Sequence, residues 1–112
     1  MTTVSMLANY RKKKKLQREV LRKDIIVKIQ EAVSELEKTL HFKEVYLFGS
    51  VLTPHFSEDS DIDIAFSGLK NNDFFKAMRL LSDYTGRDID IVQLESHRLK
   101  GKIIKEGVKI KQ

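Results

Sequence analysis

Aspartate is depleted in β-strands, yet Asp61-Ile62-Asp63-Ile64-Ala65-Phe66 alternates as a strand and begins with two aspartates. Ile62, Ile64 and Phe66 form one row, which requires a core beneath it, while Asp61, Asp63 and Ala65 take the opposite side. Residues two apart on a strand lie ~6.5–7 Å from each other and point the same way, so both carboxylates can converge on one site. Without a cation they repel. A lone Asp-x-Asp more often lines the wet face of a half-exposed sheet, and the weight of this one rests on what surrounds it.

Ten residues upstream, the apolar run Val45-Tyr46-Leu47-Phe48 ends in Gly49-Ser50. The run is short, aromatic and β-branched, which suits a central strand buried on both faces. Glycine lets the backbone approach a phosphate with positive φ, and free amides at a following helical turn bind anions, with the Ser50 hydroxyl as a further donor. Gly-Ser alone is a common strand-to-helix turn; its spacing from Asp61 gives it meaning. Downstream, Asp88-Ile89-Asp90-Ile91-Val92 repeats the alternation. If these two strands are neighbours, three carboxylates meet at one end of a sheet. Asp90, flanked by apolar residues, is the third candidate ligand, whereas Asp88 reads better as a solvated side chain.

The rest of the chain supplies the layers. Met1 to about Ser5 reads as disordered. Met6, Leu7, Tyr10, Leu16, Val20 and Leu21 make a thin apolar stripe, and from Asp24 the residues Ile26, Ile29, Val33, Leu36 and Leu40 recur at helical steps. No Gly or Pro separates the two segments, so whether the first continues the second is open. Phe74, Phe75, Met78 and Leu81 mark a helix to about Tyr84 with Asn71-Asn72 before it and Gly86 closing it. Ser96 can cap a last helix through Leu99, Ile103 and Ile104, and Gly107 ends it ahead of a strand over Val108 to Ile110. Tyr46, Phe48 and Phe66 read as core. The order is helix, strand, short helix, strand, helix, strand, helix, strand.

A chain of 112 residues without cysteine is one domain that can bury roughly two thirds of its unfolded surface and needs no staples. The net charge of +5 is uneven: residues 1–23 carry eight basic residues against one acidic, whereas residues 24–112 carry thirteen against fifteen. This divides the chain into a basic N-terminal arm, 1–23, centred on Arg11-Lys12-Lys13-Lys14-Lys15, and a body, 24–112. Such a run is more often a solvated face than a nucleic-acid contact. With no signal peptide and no long apolar span, a cytoplasmic location and no membrane association are the default expectations.

Three carboxylates at a hard site suit Mg2+ or Mn2+, which share their coordination with water and substrate phosphates. Zinc does not suit the set, because His41, His55 and His97 are scattered and cysteine is absent. Two such ions ~3.5–4 Å apart can serve both the attacking and leaving oxygens of a displacement at phosphorus. Neither Gly-x-x-x-x-Gly-Lys-Ser/Thr nor Gly-x-Gly-x-x-Gly occurs, so P-loop and dinucleotide folds do not compete.

Gly49-Ser50, ten residues, then Asp61-Ile62-Asp63 resembles the signature of the polymerase-beta-type nucleotidyltransferase superfamily, and Ile89-Asp90-Ile91-Val92 with the short chain narrows this to minimal nucleotidyltransferases. The resemblance implies an α/β (α+β) fold, a small mixed sheet of about four strands flanked by helices. It further implies that Asp61 and Asp63 bind two metal ions, that Asp90 holds the ion at the acceptor hydroxyl, and that Gly49 and Ser50 hold a triphosphate. The implied reaction moves a nucleoside monophosphate, most simply AMP from ATP, with pyrophosphate leaving. The implied partner is a HEPN-domain toxin, adenylylated on a tyrosine by its antitoxin. One departure stands out. Many relatives have arginine after Gly-Ser, and here Val51 takes that place, which passes phosphate contact to residues such as His55, Lys70 or Arg87. His55 by itself reads as an exposed loop residue and Arg87 as a counter-charge to Asp88 or Asp90.

Three other readings stand beside this one: a small-molecule hydroxyl as acceptor, an antitoxin acting by binding alone, and a nucleic-acid tether in the arm. A homo-oligomer is left open.

Overall fold

The computed structural model describes residues 3–111. Helix α1 (Thr3–Leu36) is followed by strand β1 (Glu44–Phe48), a short 3-10 turn (Gly49–Leu52) and strand β2 (Ile62–Ser67). A second 3-10 turn (Asn71–Asp73) leads into α2 (Phe74–Thr85), then come β3 (Ile89–Gln93), α3 (Lys100–Glu106) and β4 (Val108–Lys111). The sheet order is β3-β2-β1-β4. β1 runs antiparallel to β2 and β4, and β2 runs parallel to β3, so the sheet is mixed. The expected fold class is what the chain adopts.

The alternation in β2 sorts side chains between two cores. On one face Val45, Leu47, Ile62, Ile64, Phe66 and Ile89 pack against Ile25, Ile29, Ala32, Val33 and Leu36 of α1 and Ala77 and Leu81 of α2. The other face holds a smaller cluster, Tyr46, Ala65, Leu94 and Ile103, with Phe48 and Val92 against it. Two helices therefore cover one side, and the short α3 covers part of the other. That leaves room beside α3 for polar groups.

Several sequence expectations are corrected. Thr3 to Ser5 are helical and continuous with the rest of α1, while Met1 and Thr2 lie outside the described residues. The 3.6-residue stripe counts Leu40 as helical, but α1 ends at Leu36; Leu40 is buried in the following turn, its amide bonded to the Leu36 carbonyl at 2.8 Å. Neither Ser96 nor an asparagine caps a helix: α3 starts after Leu99 and α2 after Asp73, each without a side-chain cap. Gly86, by contrast, closes α2 with φ of 68° as expected. No helix is long and apolar enough to cross a membrane among the described residues.

Candidate functional site

The end of β1 and the starts of β2 and β3 share one end of the sheet, and register decides what meets there. Phe48 pairs with Asp63, and Asp63 pairs with Asp90, which puts the three side chains in a row on one face. Asp61, two residues before Asp63, lies just outside β2 and is exposed. This face carries the smaller, α3-covered cluster, so the aspartates stand where the helical cover ends. Asp88 contributes its backbone carbonyl to Ile62 at 3.0 Å, and its side chain is exposed.

Gly49 and Asp63 are fitted to each other. Gly49 has φ of 78°, and a Cβ there would stand 2.3 Å from Asp63 Oδ2, inside any permitted contact. Only glycine admits the carboxylate so close to the backbone. The next amide, that of Ser50, donates to the Asp63 carboxylate, and Ser50 Oγ donates to the Asp61 carbonyl at 3.4 Å. The turn is closed by the Ser50 carbonyl, which accepts from the Thr53 amide at 2.9 Å and Thr53 Oγ1 at 2.8 Å.

Asp63 titrates above the ordinary aspartate range. Burial is the main cause, followed by the charges of Asp90 and Asp61, and the Ser50 amide opposes them. Repulsion by its neighbours thus adds to burial at the one half-buried member of the three. Among the described residues no lysine, arginine or histidine forms an ion pair with Asp61, Asp63 or Asp90. Nor do three carboxylate or imidazole groups close into a ready-made metal cage among those residues. The first fact suits a hard divalent cation, since the donor set is carboxylate only, its charge is uncompensated among the described residues, and such ions complete their coordination with water and substrate oxygens; the second lends that reading no support.

The residues offered in place of the missing arginine lie elsewhere. Arg87 donates from Nη1 to the carbonyls of Ser57 at 2.8 Å and Ser60 at 2.9 Å and stacks over Phe56, fastening the loop before β2; it pairs with neither Asp88 nor Asp90. His55 is exposed in that loop, and Lys70 is exposed beyond β2. Phe66 and Tyr46 are core, while Phe48 is only half buried and meets the edge of His97 at 6.0 Å between ring centroids. Two residues near the site carry no sequence signal. His97, in the loop before α3, meets Phe48 at the edge of the row, and Arg22 reaches the Gly49–Leu52 turn from α1, hidden in a run that reads as solvated charge. A groove of about 1080 Å3 lies between α1 and Pro54–Glu58, away from the aspartates.

The family model described as "Polymerase beta, Nucleotidyltransferase" matches residues 28–112. Among solved structures, one provisionally named minimal nucleotidyltransferase is 24% identical with a TM-score of 0.60, covering 81% of this chain and 93% of that one. A toxin-antitoxin structure with AMP-PNP is 24% identical with a TM-score of 0.58, over 72% of this chain and 71% of its own. An MntA-HepT toxin-antitoxin structure is 22% identical with a TM-score of 0.54, over 75% and 69%. At these identities the likeness is one of fold. No curated protein matches the chain.

Proposed function

The chain belongs to the polymerase beta nucleotidyltransferase family, and from that premise we propose that it transfers a nucleoside monophosphate, AMP from ATP, to a hydroxyl of a protein partner. The observation that carries the reading is the row Asp63–Asp90 with Asp61 beside it, set against the Gly49-Ser50 turn. Asp61, Asp63 and Asp90 would hold Mg2+ or Mn2+, in family fashion two ions, which neutralise phosphate charge and lower the pKa of a coordinated hydroxyl. Gly49 and Ser50 would receive the triphosphate: the glycine leaves the backbone bare, and the serine offers a hydroxyl. The roles of these five residues are part of the proposal.

The residues act by placement. Register holds Asp63 and Asp90 side by side, and the Ser50 amide fixes the Asp63 carboxylate in orientation, so the acceptor oxygen and the α-phosphate are brought together before reaction. Pyrophosphate leaves from the turn.

A HEPN-type toxin is the proposed partner. The fold is shared with toxin-antitoxin structures, one of them crystallised with AMP-PNP. The test is incubation of the full chain with labelled ATP, Mg2+ and a HEPN protein from the neighbouring reading frame. The wild type labels the partner and silences its nuclease, and Asp61→Ala plus Asp63→Ala does neither. A nuclease silenced equally well by the double variant would replace catalysis with inhibition by contact.

A further inference from the structure

Arg22 stands one turn before Ile25, the first fully buried residue of α1. Its side chain is half-buried, and its guanidinium is turned onto the Gly49–Leu52 turn. Nε donates to the Val51 carbonyl at 2.6 Å, and Nη2 donates to the Thr53 carbonyl at 3.4 Å. These two acceptors lie at the far end of the turn whose near end offers the Ser50 amide to Asp63. Between them, the Ser50 carbonyl is held by the amide and hydroxyl of Thr53. A continuous line of hydrogen bonds therefore runs from α1 through the turn to the central aspartate.

We propose that Arg22 is the positioning residue of this turn, holding Gly49-Ser50 where the bare glycine backbone and the Ser50 hydroxyl receive the triphosphate while the Ser50 amide stays on Asp63; the proposal rests on the nucleotidyltransferase reading above. The need for such a residue is physical. A 3-10 turn of four residues has poor internal hydrogen-bond geometry and leaves its last carbonyls without partners. Gly49 at its start adds conformational freedom. A guanidinium fork satisfies two carbonyls at once with charge-assisted bonds, which a lysine, a single point of charge, does not reproduce. Among the described residues, no other arginine bonds this turn: Arg87 is committed to Ser57 and Ser60. With valine at position 51, the guanidinium at the turn comes from a helix some thirty residues earlier in the chain, at a sequence separation of 29.

The experiment uses the full chain as wild type, Arg22→Lys and Arg22→Gln. Amide hydrogen exchange reports the turn directly, and calorimetric titration with MgATP, magnesium pyrophosphate and AMP reports its use. Both variants are expected to exchange faster at Ser50 and Val51, and to bind MgATP and pyrophosphate about tenfold more weakly, with AMP unaffected. A role in stability alone would weaken all three ligands or none. Should Arg22→Gln fold poorly, Arg22→Lys keeps charge and stem and carries the comparison. Unchanged exchange and unchanged triphosphate affinity in Arg22→Lys would overturn the inference, as would equal losses for AMP and ATP. A wild type that binds no MgATP would instead bring down the reading on which it rests, a failure that the exchange data distinguish.

Discussion

At Gly49 a methyl group would meet the Asp63 carboxylate and sit on a backbone that L-residues avoid. Gly49→Ala is therefore expected to cost about 1–2 kcal/mol in urea unfolding from the left-handed conformation alone, and to displace Asp63 as well. Nucleotide binding should fall with it. At Asp63 the sign of the pH effect follows from a raised pKa. The folded protein keeps that proton more tightly than the unfolded chain, so its stability falls as pH rises from the ordinary aspartate range through the raised value, and stays lower above it. Asp63→Asn removes burial of charge and the repulsion by Asp90 and Asp61. Without divalent ions its urea midpoint at neutral pH should exceed that of the wild type, and its stability should decline less across the mildly acid range. A midpoint below the wild type at every pH would mean that the carboxylate is not under strain.

Among the elements, the strands were the most readable because their alternation states both faces at once. Ile62, Ile64 and Phe66 meet the main core, and Asp63 turns the other way, as period two demands. The ends of helices were less readable. Leu40 keeps the apolar rhythm of α1 although the helix has stopped, because a turn can bury a leucine as well as a helix can. Ser96 looks like a cap, yet the chain spends further residues in turns before α3 begins at Lys100. Long-range partners had no sequence signal at all. Nothing around Arg22 or Arg87 shows that each would bind carbonyls 27 or more residues away, since polar contacts to backbone depend on the fold and not on side-chain pattern. The join between α3 and β4 gives a sharper test. A Cβ on Gly107 would lie 2.5 Å from the Ile103 carbonyl and 3.1 Å from that of Leu47, both backbone atoms with little freedom to move. Gly107→Ala should cost about 1–3 kcal/mol by overpacking, measured by thermal or urea unfolding, with β4 pairing disturbed first.

For the molecule as a whole, α1 is the dimension that stands out. Its 34 residues run about 51 Å at 1.5 Å per residue, close to the 57 Å long axis of the protein. Yet its buried residues begin only at Ile25, and Val4, Met6, Leu7, Tyr10, Leu16 and Val20 are exposed among the basic residues of the arm. Residues 1–20 are thus nearly dispensable for the core, whereas Leu21 and Arg22 at the end of the arm meet the core and the turn: removing residues 1–20 should leave a single cooperative unfolding transition with a nearly unchanged midpoint. A loss of cooperativity would show that the arm belongs to the folding unit. The body, with its slight excess of acid, concentrates three uncompensated aspartates at one sheet end, and everything proposed for this protein depends on cations answering that charge. Mn2+ titration followed by electron paramagnetic resonance tests it most directly, because the signal of free Mn2+ fades as the ion binds. In the presence of a non-hydrolysable ATP analogue, wild type should remove Mn2+ from solution beyond what the analogue does alone, and Asp63→Asn and Asp90→Asn should not. Equal Mn2+ uptake by wild type and both variants would contradict the account.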